Sequence, residues 1–104
     1  MRTIKFRHWD KNLKKMMYAD NDFSLVKETE DFLPMQFTGL LDKNGKEIYE
    51  GDIIKTFDDK IEAVYWEDVD AGFRFSSLPM DYNDEVEVIG NIYENPELLT
   101  PSKE

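Results

Sequence analysis

The chain has 104 residues, with 23 acidic and 13 basic side chains, one histidine and no cysteine. Disulfides and thiolate metal sites are therefore excluded, and a single histidine cannot complete a Ser-His-Asp, Cys-His or multi-histidine metal arrangement within one chain. The length of one ordinary domain and a hydrophobic share of 40% favour a folded chain with one modest core.

Charge is unevenly placed. The first 20 residues carry Arg2, Lys5, Arg7, Lys11, Lys14 and Lys15 against only Asp10 and Asp20, a charge of +4, so the remaining 84 residues carry −14 and the net charge is −10. Such polarity can orient one copy of a protein against another or steer an arm onto an acidic partner; it also serves plain solubility. No stretch has the roughly 18 successive apolar residues of a membrane span, and the basic start lacks the apolar run of a signal peptide. A cytoplasmic protein with no membrane partner is expected.

In chain order, Ile4 and Phe6 alternate with Thr3, Lys5 and Arg7, the period of a half-buried strand. A polar turn follows at Asp10–Lys15, and "MMY" resumes an apolar run at Met16, which together predict an N-terminal hairpin. From Ala19 to Asp31 two readings stay open: a short helix capped at Asp22 or Ser24, or a strand over Phe23–Val26 with an acidic link. Pro34 biases Leu33 towards extended backbone and sets a junction near residues 28–34.

The tract "FTGLLDKNGKEIYEGDIIK" carries most of the local signal. Asn44-Gly45 predicts a type I′ hairpin turn, because both residues tolerate positive φ. Gly51-Asp52 predicts a second turn before "IIKTF", whose Ile53 and Phe57 share one face while Ile54 takes the other. Asp58-Asp59-Lys60 turns again, "IEAVYWE" is a third strand, "DVDAG" a further turn, and "FRF" at 73–75 alternates. "SSLPMDYNDE" is a polar loop, and "VEVIGNIY" closes the series at 86–93. Five short strands in this span predict a small barrel or sandwich, which hides the strand edges that a flat sheet leaves open. In "ENPELL", Asn95 is a cap and Pro96 a first helical residue, predicting one helical turn before a fraying tail at 100–104.

Four blocks, "IKFRHWDKNLKKMMY", "MQFTGLLDKNGKEIYEGDIIK", "AVYWEDVDAGFRF" and "VIGNIYENPELL", together resemble the YopX family of phage and prophage proteins. They stand in family order over nearly the whole chain, with "TGLLDKNGKEIYEGD" and "GNIYENPELL" as the two anchors; His8 departs from the small residue of the family pattern. The resemblance implies an SH3-like β-barrel over residues 34–99, preceded by an N-terminal region at 1–33 that supports self-association. It also implies a phage or prophage origin in a bacterial cytoplasm. It supplies no catalytic residue, cofactor or ligand.

The residues themselves offer few sites. His8 reads as a structural or surface histidine. "DKNGKE", "DVDAG" and "DYNDEV" begin like calcium loops but misplace or lack the glycine, and turn chemistry accounts for them. Paired carboxylates are unavoidable with so many acids, and nothing selects a catalytic pair. The basic arm with Phe6 and Trp9 has the mixture used on nucleic acids, but the acidity of the remaining chain opposes phosphate. Tyr65, Trp66, Phe73 and Phe75 surround an acidic turn. Strand alternation sends half of them inward, and an exposed Tyr65 or Trp66 would mark a contact surface.

The expectation is thus a mainly all-β protein: an SH3-like barrel, an N-terminal hairpin and a short C-terminal helical turn. Its function is that of a non-enzymatic phage accessory module that self-associates and binds a host or phage protein. No metal or cofactor is expected. The contact candidates are Arg7, Trp9, Tyr65, Trp66, Asp68 and Asp70. The rival reading is an acidic decoy that imitates DNA and blocks a host nucleic-acid-binding protein.

Overall fold

The computed structural model describes residues 4–20, 34–67, 72–74 and 80–99. These residues are mostly β, with the sheet curled into a half barrel. The strands are β1 (Lys5–Asp10), β2 (Lys15–Asp20), β3 (Pro34–Leu41), β4 (Glu47–Tyr49), β5 (Asp52–Lys55), β6 (Ile61–Ala63), β7 (Tyr65–Glu67), β8 (Gly72–Arg74) and β9 (Glu87–Asn91). They form three antiparallel ladders in the orders β2-β1-β3-β4, β6-β5-β9 and β7-β8.

The predicted N-terminal hairpin is present. Asp10 accepts the N–H groups of Asn12 and Leu13 at 2.9 and 3.0 Å, and Lys14 takes a left-handed conformation to bring β2 back. On its other edge β1 pairs with β3, Arg7 opposite Met35 and His8 opposite Pro34, so the hairpin and the following strands share one ladder. The segment 21–33, with both of its readings and most of the expected junction, lies outside the described residues, as does the tail at 100–104. Burial along β1 reverses the simple alternation. Ile4 is exposed, whereas Arg7 and His8 are buried, so part of the expected polar side faces inward.

Two hairpin loops share one design. In the first, Gly45 N–H donates to the Asp42 carbonyl (3.0 Å) and Asp42 N–H to the Lys46 carbonyl (2.8 Å). Only Gly45 of the predicted pair has positive φ, so the turn is not type I′ but a type I turn followed by a left-handed residue. Asp42 explains the change: its carboxylate accepts the N–H groups of Asn44 and Lys46 and fixes the longer loop. The second loop, Thr56–Lys60, repeats the pattern, with Asp59 in the left-handed position and Thr56 accepting Lys60 N–H. Phe57, expected beside Ile53, belongs to this loop and is exposed.

The stretch predicted as one strand, "IEAVYWE", is two. Val64 N–H donates to the Asp52 carbonyl and the Val64 carbonyl accepts Gly51 N–H, both at 2.8 Å, which interrupts the ladder between β6 and β7. Around this crossing sits the core of Ile48, Ile54, Val64, Val86 and Val88, with Ile53 also fully buried. Ile53 and Ile54 are therefore covered on both faces of β5, as expected.

A 3-10 helix at Met80–Glu85 replaces part of the loop predicted there. Asn83 Nδ2 donates to the Leu41 carbonyl (2.6 Å), and Lys43 N–H to the Val86 carbonyl, tying this helix to the first loop. The predicted turn after Pro96 forms as a 3-10 helix, Pro96–Leu99. Asn95 does not cap it with its side chain; that oxygen accepts Asn91 N–H instead (3.3 Å).

Candidate functional site

Strand β1 delivers Arg7 into the interior, where only a carboxylate can compensate its charge. Asp52, the first residue of β5, provides one: Arg7 Nη2 donates to Asp52 Oδ1 at 2.7 Å, with both side chains 3–4% exposed. Asp52 Oδ2 accepts Tyr49 N–H at 2.7 Å, Arg7 Nη2 also reaches the Glu50 carbonyl, and the guanidinium carbon lies 4.7 Å from the centre of the Tyr49 ring. Burial outweighs the attraction of Arg7 and keeps the Asp52 carboxyl above the ordinary carboxylate range. Next to it Lys5 pairs with Glu47. Lys5 and Arg7 of the basic arm are thus used in internal ion pairs.

Gly51 makes this geometry possible. Its φ of +87° suits the turn between β4 and β5, and a Cβ there would lie 2.9 Å from Met35 Sδ. Its carbonyl accepts Ile92 N–H, so one tight turn holds β4, β5 and the end of β9 together. Opposite Asp52 stands Asn91, whose Oδ1 accepts the N–H groups of Tyr93 and Glu94 and whose Nδ2 donates to Glu94. A side chain at Gly90 would collide with Asn95 Oδ1. The two sequence anchors therefore meet face to face across β5 and β9.

Two depressions flank this junction. On one side a cleft of about 530 Å³ is lined by Arg7, Tyr18, Lys46, Tyr49, Asp52 and Asn95, among others. On the other a groove of about 280 Å³ lies between Tyr65 and Tyr93, floored by Met35, Gly51 and Val64, with Glu50 at its side. Trp9 stacks on Tyr93, ring centres 5.8 Å apart. Burial, then the nearby Glu50 charge, raises the Tyr93 hydroxyl above its ordinary pKa.

Of the predicted contact residues, Arg7 is buried in the ion pair and is no surface charge. Tyr65 and Trp66 are both exposed, at 37% and 44%, although neighbours on a strand point to opposite sides. The β7-β8 ribbon is thus bare at these positions on both faces, and Trp66 packs edge-on against Phe73, 5.1 Å between centres. Tyr65 and Trp9 approach one surface through Tyr93. Asp68, Asp70 and Phe75 lie outside the described residues.

Sequence reasoning missed the partner of Arg7. Gly51-Asp52 reads as a turn, and only the topology shows that this turn receives the charge of β1. No group of three or more metal-ligating side chains occurs among the described residues, and the carboxylate of "DKNGKE", Asp42, is taken by backbone N–H groups.

The fold and this junction define a small, mostly β half barrel carrying a leading hairpin. The family model described as YopX protein matches residues 22–100, and the chain belongs to that family. It is also similar to the crystal structure of protein EF1440 from Enterococcus faecalis, at 28% identity and a TM-score of 0.70, over 95% of this chain and 99% of that one. A search among proteins of curated function gives no match.

Proposed function

We propose that the chain is a non-enzymatic phage or prophage accessory protein of the bacterial cytoplasm, a small SH3-like module that self-associates and binds another protein. The observation that carries this reading is the aromatic surface of Tyr65 and Trp66, exposed on a ribbon that contributes little to the core, beside the half-buried Tyr93. Exposed aromatic rings beside a carboxylate suit an extended, basic segment, because rings attract cations and the chain carries a net charge of −10. Glu50 supplies the carboxylate of the groove.

Titration of Trp fluorescence with arginine- and proline-containing peptides tests this. Saturable binding that Tyr65→Ala weakens tenfold and added salt reduces supports it; equal signals from the variant oppose it. Sedimentation at low and high salt tests self-association, and a monomer in both opposes that part. The rival reading, a decoy imitating DNA, draws on the acidity alone. It predicts capture of host nucleases or polymerase subunits that DNA displaces, with no effect of Tyr65→Ala.

A further inference from the structure

The tip of the β1-β2 hairpin and the far end of β3 carry surfaces of opposite character. At the tip, "DKNLKK" holds three lysines and one acid, and the carboxylate of that acid, Asp10, is turned onto the N–H groups of Asn12 and Leu13. Lys11, Lys14 and Lys15 are exposed, and among them Leu13 presents an apolar side chain that is 65% exposed. At the far end, the Asn83 amide bound to the Leu41 carbonyl sets the 3-10 helix of Met80–Glu85 against the last residue of β3. Leu41 and Tyr82 are both exposed there. Around them the tract "MDYNDEVE" at 80–87 has four acids and no base. Asp84 and Glu85 are exposed, and Lys43, in the loop tied to this helix, is the opposing cation.

Register keeps the two surfaces of one copy apart. His8 stands opposite Pro34, so the tip projects past the first residue of β3, whereas Leu41 is its last. The eight residues of β3 span roughly 25 Å. A tip therefore does not reach its own patch, and the surface that matches it is that of another copy.

We propose that the hairpin tip of one copy docks on the Leu41–Tyr82 patch of a second copy, Leu13 packing on those two side chains while Lys11, Lys14 and Lys15 face Asp84 and Glu85. This contact is one form of the self-association proposed above and rests on it. Charge complementarity selects the pairing. Phe57, another exposed ring with acids beside it, is a poorer seat, because Asp58 and Asp59 already pair with Lys60 and Lys55. DNA suits the basic tip alone, but the −14 carried by the rest of the chain opposes it, whereas a second copy supplies acid and apolar surface together. The contact joins unlike surfaces, so two copies lying antiparallel make it twice, or a ring of copies repeats it.

Sedimentation of the full chain at low salt, with charge-swapped variants, tests this. The parent should associate, and high salt should weaken the association. Lys11→Glu with Lys14→Glu, or Asp84→Lys with Glu85→Lys, should each weaken it about tenfold or more, since like charges then face each other. Mixing the two variants, or combining all four substitutions in one chain, restores opposite charges across the contact and should recover it; recovery also shows that the variants fold. Leu13→Ser should weaken association about threefold or more at either salt. Association that neither pair of substitutions changes overturns this interface and leaves self-association standing. Loss in both variants without recovery on mixing overturns the match of these two surfaces. A parent chain that is monomeric at low salt overturns both readings, and DNA bound by such a monomer through Lys11 and Lys14 assigns the tip to nucleic acid.

Discussion

The junction around Gly51-Asp52 and the ribbon of β7 and β8 are neighbours joined through Val64, yet they use their side chains in opposite ways. At the junction a charged pair, a glycine and two asparagines are engaged in internal contacts. On the ribbon, large aromatic side chains that ordinarily fill a core stand exposed. A polar group that is buried needs a specific partner, whereas an exposed ring adds little to folding. The junction therefore defines the fold, and the ribbon is free to serve contact.

The most severe way to break this contrast is Asp52→Ala, which strands the Arg7 charge in the interior. Chemical denaturation should show a loss of about 3–5 kcal/mol, the usual result of removing one member of a buried pair. Asp52→Asn keeps acceptor and donor atoms in place and should lose less. Asp42 follows, because its carboxylate accepts three N–H groups, from Asn44, Lys46 and Val88. Asp42→Ala should cost about 2 kcal/mol in the same measurement.

The two acids also differ in sign with pH. Burial opposes the charge of Asp42, but the N–H groups of Val88, Lys46 and Asn44 outweigh it and hold the carboxyl below its ordinary value of 3.8. Its stabilisation is thus complete above that value and is lost as pH falls below it. Asp52 is raised, so its contribution is present below 3.8 and declines as pH rises through the raised value. Thermal unfolding between pH 5 and 3 should accordingly fall less steeply in Asp42→Asn than in the parent chain.

Smaller effects sharpen the comparison. Gly51→Ala combines a left-handed backbone with a contact on Met35 Sδ, and should cost about 1–2 kcal/mol. Asp59→Gly relieves a left-handed residue in an open loop and should raise stability by about 0.5–1 kcal/mol. Trp66→Ala should change stability by less than about 1 kcal/mol while weakening peptide binding, which separates the ribbon from the junction.

What sequence reveals here depends on how local the cause is. The hairpins, their loops and the last helical turn follow from short-range chemistry, in which Asp10, Gly45 and Asp59 act on the next few residues. The type of the first turn was not legible, because Asp42 alters it through a side chain outside the Asn-Gly pair. The Arg7–Asp52 pair was hidden for a stronger reason. The partners are 45 positions apart, and an arginine on an alternating strand reads as a solvent-facing charge until another strand places a carboxylate against it. The aromatics were ambiguous because alternation assumes one wet face, and β7 has two.

The missing side chain at Gly90 also has an evolutionary meaning. The space it leaves is filled by the amide of Asn95, which in turn secures the strand end at Asn91. Neither position can drift alone: a larger residue at the first evicts the second, and a smaller one at the second leaves a gap beside the first. Descendants of this chain should exchange the two as a couple, and a lone glycine or lone asparagine would betray a rebuilt corner.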